Sequence, residues 1–138
     1  MLNEAKEHLV FELIGLQNSM LKKFTGTLSI HGLGLSDYLV LDKLYHAPHC
    51  KIRRSDLAEQ VGLTPSGVTR LLNPLEKIGL VTKEANARDA RVSLVALSPI
   101  GEQVYQEAKA SFSQAISSLF ESLKPVEINS LVQLLKKI

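Results

Sequence analysis

Residues 65–78 place hydroxyl, amide and cationic side chains at helical spacing. On a helical wheel that starts at Val68, three leucines at positions 71, 72 and 75 fall within about 60° of it and form an apolar stripe. The opposite side carries hydrogen-bonding groups, with Thr69 at its edge: Ser66, Thr69, Arg70, Asn73 and Lys77. Groups of these types donate to phosphates and read base edges in a DNA groove. The pattern predicts a helix that packs by one face and binds nucleic acid by the other.

The residues before this helix are typical of a helix-turn-helix. Leu57, Ala58 and Val61 form the apolar stripe of a preceding short helix, which Ser55 is expected to cap. Gly62 allows a tight turn. The next helix then begins with Thr64 as its cap and Pro65 in its first turn, where free backbone N–H groups can hold a phosphate. This turn chemistry and the polar face together favour a DNA-binding motif over an ordinary helical hairpin.

Two β-rich runs follow, at residues 80–84 and 91–97, with a polar turn between them. Arg88 and Arg91 lie at or near the tip of this predicted hairpin, and Asp89 between them could hold one guanidinium by a charge-assisted bond. A β-ribbon tip with arginine suits the narrow minor groove of DNA. The complete predicted DNA-contacting set is Arg54, Thr64, Pro65, Ser66, Thr69, Arg70, Asn73, Lys77, Arg88, Asp89 and Arg91.

Charge and composition agree with this interpretation. All five arginines lie between positions 53 and 91, and residues 51–92 carry a net charge of +3 against −1 for the remainder. The single cysteine excludes an internal disulfide, and the charged N-terminus lacks the pattern of a signal peptide. No apolar run approaches membrane-spanning length. We therefore expect a cytoplasmic protein that is not an enzyme and has no cofactor, because no catalytic constellation or phosphate-binding glycine loop stands out.

The remaining segments predict four further helices. The first covers residues 3–28, the second begins after Ser36 and ends at Pro48, and two more begin at Pro99 and Pro125, the former ending near Leu123. The first and the last two are rich in leucine, isoleucine and valine, so we expect them to be buried against a second copy of the chain. The predicted fold is one mainly α domain over residues 1–138 with a small β-hairpin wing. Residues 1–30 and 99–138 form dimerisation helices, and residues 36–97 form a winged helix-turn-helix lobe.

In the order and spacing of its sequence motifs, the chain resembles the MarR family of bacterial transcription regulators. The resemblance spans nearly the whole sequence and is carried by DLAEQVGL (56–63), VTRLL (68–72), LEKIGLV (75–81), DAR (89–91) and VALSPIG (95–101). It implies a homodimer joined by its terminal helices, with recognition helices in successive major grooves of a near-palindromic operator and wings in the flanking minor grooves. It also implies a repressor that is released by a ligand or by oxidation.

Two positions depart from the pattern common in that family. Gly67 stands where Thr or Ala is common, which weakens the helix by roughly 1 kcal/mol relative to Ala. Asn73 and Pro74 replace a common Asp and basic residue, and Pro74 removes a backbone hydrogen bond from the helix and could kink it. Base preference is therefore expected to differ from that of close relatives.

The effector is open to several interpretations. The favoured one is a small organic molecule, such as an aromatic acid, in a crevice between the dimer helices and the DNA-binding lobe, lined by Phe24, His31, Tyr38 and Tyr45. Ordinary core packing is the alternative for these four side chains. A redox-responsive regulator that uses Cys50 is a second function hypothesis, and a winged-helix protein-interaction module is a third. Metal sensing through His46, His49 and Cys50 is disfavoured, because Pro48 breaks the spacing and residues after Ser98 contain no histidine.

Overall fold

The structure, a computed structural model, describes residues 2–138. Its helices are α1 (Leu2–Ser29), α2 (Leu35–His46), α3 (Arg54–Val61), α4 (Pro65–Lys77), α5 (Pro99–Leu119) and α6 (Pro125–Leu135). A single 3₁₀ turn covers Pro48–Cys50, and the strands are β1 (Lys51–Arg53), β2 (Val81–Ala85) and β3 (Ser93–Leu97). The mainly α architecture with a helix-turn-helix and a β wing is therefore confirmed.

The three strands form one antiparallel sheet in the order β1-β3-β2. β2 and β3 make the wing hairpin, with Lys83 opposite Val95. Val95 is also opposite Ile52, because β1 pairs with the other edge of β3. The sequence predicted the hairpin, and the structure adds β1, which attaches the start of α3 to the wing.

Local chemistry explains why α4 begins and ends where it does. Thr64 caps the helix, since its side chain accepts a hydrogen bond from the backbone N–H of Gly67, and Pro65 occupies the first turn. Gly62 and Gly79, at the ends of α3 and α4, have φ values of 69° and 82°, in the left-handed region that favours glycine. Pro74 lies inside α4 and cannot donate to the carbonyl of Arg70, yet the helix continues to Lys77.

The wing is fixed to α5 by a close backbone approach at Gly101. Ser98 caps α5 by accepting from the Gly101 N–H at 2.9 Å, and its own N–H donates to the Leu80 carbonyl at 3.0 Å. A Cβ at position 101 would lie 2.0 Å from that same carbonyl oxygen. Glycine is therefore required there for the helix to pack against the start of the wing.

The buried core lies where α1, α2 and α5 meet the helix-turn-helix. Leu28, Leu41, Leu57, Val68 and Tyr105 are each completely buried in it. Large apolar side chains remain exposed towards the N-terminal half of α1 and along α6, and no residue of α6 is buried in the described chain.

Several predicted boundaries were wrong by a few residues. The cap of α2 is Gly34 rather than Ser36, because the Asp37 carboxylate accepts from the Gly34 N–H at 2.8 Å. The cap of α3 is Arg53 rather than Ser55, because the chain passes directly from β1 into the helix. α5 ends at Leu119, and β3 begins at Ser93, which leaves Arg91 in the wing loop.

Candidate nucleic-acid interface

The outward face of α4 has the polarity that its sequence predicted. Val68, Leu72 and Leu75 are at most 2% exposed and fix the inward face of the helix. Leu71 is only half-buried. The side chains on the opposite face are exposed, except for the half-buried Thr69: Ser66, Arg70, Asn73 and Lys77. The helix therefore offers two cations, an amide and a hydroxyl to the solvent.

Arg54 and Thr69 connect the two helices of the motif. The Arg54 guanidinium donates to Thr69 Oγ1, and that hydroxyl donates to the Pro65 carbonyl at 2.9 Å. Arg54 is half-buried in this arrangement. Two residues that the sequence assigned separately to DNA contact are thus linked to each other.

The hydroxyl of Thr64 is used within the first turn of α4. It accepts from the Gly67 N–H at 3.0 Å and lies 3.2 Å from Ser66 Oγ. Thr64 therefore positions the end of the helix and the exposed hydroxyl of Ser66.

A contact between α4 and the wing was missed by the sequence analysis. Lys83 on β2 donates through Nζ to Asn73 Oδ1 at 3.3 Å and lies 3.2 Å from Glu76 Oε2. In the sequence analysis Lys83 only contributes to the positive charge of residues 51–92, since nothing in the spacing shows that β2 lies beside this part of α4.

The wing loop is organised by its acidic residue, as the sequence suggested. The backbone N–H of Arg91 donates to Asp89 Oδ1 at 3.0 Å, and its guanidinium reaches the two carboxylate oxygens at 3.1 and 3.3 Å. These bonds from the Arg91 side chain and backbone hold the pKa of Asp89 below its ordinary value. The Asn86 side chain accepts from the Arg88 N–H at 2.8 Å. The Arg91 side chain nevertheless stays 91% exposed, so it is oriented and still accessible.

A cleft of about 270 Å³ lies between the helix-turn-helix and the wing, at the point where the wing loop joins β3. Its lining includes Arg53, Arg54, Pro65, Arg91 and Ser93. Arg53 and Arg54 thus come together with Arg91 beside the start of α4, although Arg91 lies on a separate segment of the chain. Arg53 is a further candidate for phosphate contact that the sequence analysis did not include.

The four predicted effector-lining residues lie along one side of the core. Tyr38 and Phe24 both pack on Phe112, with ring centroids 4.6 and 4.7 Å apart, and Tyr45 packs on Tyr105 at 4.7 Å. His31 Nε2 lies 2.8 Å from Ser111 Oγ. Phe24 and Tyr38 are buried, whereas His31 and Tyr45 are half-buried. Within one chain these four side chains therefore make ordinary packing contacts and hydrogen bonds. Their role in binding an effector stays a prediction.

Tyr105 ends this aromatic row with a hydrogen bond. Its hydroxyl donates to Asp42 Oδ1 at 2.5 Å, and burial together with this bond raises the pKa of Tyr105 above its usual range. The bond links α5 to α2, next to the half-buried Tyr45.

Cys50 is half-buried beside the backbone of Tyr45, with its sulfur 3.8 Å from that carbonyl oxygen. The neighbouring Lys51 forms an ion pair of 2.7 Å with Glu84 on the wing. His49 and Cys50 have positive φ values of 57° and 56°, which is uncommon for residues other than glycine. Within residues 2–138, no group of three or more His, Cys, Asp or Glu side chains is arranged to hold a metal ion.

None of the helices in residues 2–138 combines the length and the apolar character that a membrane span requires. The fold and surface described above define a winged helix-turn-helix protein of the class that binds DNA. Comparison with known proteins narrows this class. The model of the MarR family matches residues 33–93, which cover the helix-turn-helix and most of the wing.

Relatives match over most of the chain. YdgJ of Bacillus subtilis, an HTH-type transcriptional regulator by name, is 26% identical over 129 residues, which cover 94% of this chain and 76% of YdgJ. The crystal structure of the MarR family regulator Sco3205 from Streptomyces coelicolor, in complex with DNA, superposes with a TM-score of 0.88 at 25% identity. That match covers 96% of this chain and 84% of Sco3205.

CouR from Rhodococcus jostii, whose structure contains p-coumaroyl-CoA, superposes with a TM-score of 0.81 at 25% identity, over 93% of this chain and 88% of CouR. The chain is a DNA-binding transcriptional regulator that is similar to the MarR family over residues 33–93 and in its fold.

Proposed function

We propose that this chain is a homodimeric repressor that binds a near-palindromic operator and is released by a small aromatic effector. In each protomer, α4 enters the major groove and the wing loop enters the adjacent minor groove. We assign its activity to the cytoplasm, because operator DNA lies there.

One observation carries the docking proposal. The cationic cleft is lined both by Pro65, at the start of α4, and by Arg91 of the wing loop. It therefore lies between the exposed outward face of α4 and the wing loop, which come from separate segments of the chain. Arg70 is exposed in the middle of the helical face, where a guanidinium can make a bidentate contact with guanine. Arg91 is held by Asp89 beyond the end of the strands, as a minor-groove contact requires.

Binding measurements with two variants test this docking. We expect Arg70→Ala to lose about 1–3 kcal/mol of discrimination between operator and altered operator, and Arg91→Ala to weaken binding to most sequences. Lys43→Ala removes one cation from an exposed position on α2, outside the assigned DNA contacts and the proposed dimer helices, and serves as the matched control. If both arginine variants bind like the control, the docking is wrong.

The amount of exposed surface supports the dimer. A compact monomer of 15.2 kDa exposes about 7,100 Å² on average, whereas this chain exposes 9,721 Å². Much of the exposed apolar area lies at the two ends of the chain, where Phe11 and Val126 are 71% and 67% exposed. The excess is of the size that protomers of obligate dimers bury. We propose that residues 1–30 and 99–138 form this interface and that residues 36–97 form the DNA-binding lobe.

Sedimentation at micromolar concentration tests the dimer. We expect twice the mass of one chain, and Phe11→Asp should shift the equilibrium towards monomer. Gln60→Glu, which also adds one negative charge but at an exposed position on α3 outside the proposed interface, should not. A wild-type chain that sediments as a monomer would refute the dimer.

The proposal of an effector rests on the half-buried side chains of His31 and Tyr45 at the edge of the aromatic row. CouR, which shares the fold, was crystallised with an aromatic acyl thioester. A thermal-shift screen with phenolic acids and their coenzyme A thioesters should identify a stabilising compound that also lowers operator affinity. An absence of stabilisation by every compound, with operator affinity unchanged, would count against this effector class.

A further inference from the structure

Lys83 connects the wing to the DNA-facing side of α4. Its ammonium group lies 3.3 Å from Asn73 Oδ1 and 3.2 Å from Glu76 Oε2. The backbone of Lys83 is fixed by the pairing of β2 with β3, where it lies opposite Val95. A strand residue is thus positioned against the C-terminal half of α4.

This contact determines which end of the Asn73 amide turns towards the wing. A lysine ammonium group has three donors and no acceptor, so the amide atom beside it must be the oxygen. The amide nitrogen leaves the same carbon in a different direction and is therefore turned away from Lys83. Because Asn73 is exposed on the outward face of α4, its NH₂ group is the part that is offered to a ligand.

We propose that Lys83 is a specificity-determining positioning residue, which makes Asn73 read its base as a hydrogen-bond donor. This inference rests on the proposed docking of α4 in the major groove. An asparagine with a free amide contacts adenine through both ends, since its oxygen accepts from N6 and its nitrogen donates to N7. Because the amide oxygen is turned towards Lys83, the NH₂ group is the end of the amide that faces a base in the groove, and it matches the two acceptors of guanine, N7 and O6. Adenine would leave its N6 amino group without a partner.

The ion pair between Lys83 and Glu76 contributes little stability at an exposed site. Its effect is instead to hold the ammonium group in place between the carboxylate and the amide. The base preference at the Asn73 position therefore depends on a residue that lies outside the recognition helix.

Selection of bound sites from random DNA, followed by affinity measurements on paired duplexes, tests this proposal. The base whose preference disappears in Asn73→Ala defines the Asn73 position. We expect the wild-type protein to prefer guanine over adenine there. Lys83→Met should shift the adenine-to-guanine affinity ratio by about fivefold towards adenine, as expected for one hydrogen bond that is gained. Lys83→Arg retains a donor and should keep the preference for guanine.

Lys77→Met is the matched control, because it removes a cation from the same helix face but leaves the bond between Lys83 and Asn73 in place. It should weaken binding to both duplexes alike and leave their ratio unchanged. The proposal is overturned if the wild type prefers adenine at this position, or if Lys83→Met keeps the wild-type ratio. It is also overturned if Asn73→Ala changes no position of the selected site. In that case the site selected by Arg70→Ala distinguishes failure of this inference from failure of the proposed docking. An altered site retains the docking of α4 and rejects only the role of Lys83, whereas an unaltered site rejects both proposals.

Discussion

The guanidinium of Arg54 donates to the hydroxyl of Thr69 and so joins the first residue of α3 to the edge of the recognition helix. Thr69 also donates to the carbonyl of Pro65, so its hydroxyl accepts one hydrogen bond and donates another. These two contacts fix the first turns of α4 relative to α3. Arg54 therefore contributes to the geometry of the proposed DNA-binding surface as well as to its charge.

A double-mutant cycle measures this contact. We expect Arg54→Ala and Thr69→Val each to lower the free energy of unfolding by about 1 kcal/mol, because each removes one partner of a half-buried, charge-assisted hydrogen bond. The double variant should lose clearly less than the sum of the two, since both single changes remove the same interaction. Urea denaturation gives all four values.

Arg53→Ala serves as the control in the same cycle, because Arg53 is exposed and precedes Arg54 directly. It should combine additively with Thr69→Val. Additive losses for Arg54→Ala and Thr69→Val would mean that the two side chains do not interact in solution.

The cap of α4 supplies a second prediction. Thr64→Ala should destabilise the protein by about 1 kcal/mol, because the Gly67 N–H loses its acceptor, while Thr64→Ser should retain most of the stability. Thermal or urea unfolding distinguishes the two variants. Loss of equal size in both would show that the hydroxyl is not the stabilising group.

Gly67 is linked to the same cap. Replacing a helical glycine by alanine ordinarily stabilises a helix by about 1 kcal/mol. Here a Cβ would lie 3.1 Å from Thr64 Oγ1, so the capping hydroxyl would have to move. We expect Gly67→Ala to give less than that gain in the wild type and the full gain in the Thr64→Ala background. Equal gains in the two backgrounds would contradict this steric explanation.

The sequence predicted the elements whose signals are local. The limits of α4 follow from Thr64 and Pro65 at one end and Gly79 at the other, and its buried stripe follows from helical spacing. The bond between Asp89 and Arg91 spans only two residues, so the sequence could also suggest it.

Contacts between distant segments could not be predicted in this way. β1 has only three residues, which is too short for an alternating pattern, and its partner β3 lies about forty residues further along the chain. The bonds from Lys83 to Asn73 and from Arg54 to Thr69 depend on how two elements pack against each other. The cap at Gly34 was missed because its acceptor is the side chain of Asp37, whereas Ser36 has the more usual residue type for a cap.

The wing loop should respond to acid through Asp89. Its pKa is held below the ordinary value of 3.8, first by the Arg91 side chain and then by the Arg91 backbone N–H. The stabilising contribution is therefore present above the ordinary pKa and is lost as the pH falls through the depressed value. An NMR titration of the Asp89 carboxyl carbon measures this directly. Arg91→Ala should raise the pKa of Asp89 towards 3.8, and an unchanged value would show that the contact is absent in solution.

Dimethyl sulfate footprinting on the selected operator tests the central claim most directly, because it reports guanine N7 in the major groove and adenine N3 in the minor groove. We expect two patches of N7 protection whose centres lie about one helical turn, ~10 bp, apart. Flanking N3 protection should disappear in the Arg88→Ala, Arg91→Ala double variant while the N7 patches remain. A single N7 patch, or N3 protection that persists in the double variant, would contradict a dimer that reads DNA with α4 and the wing.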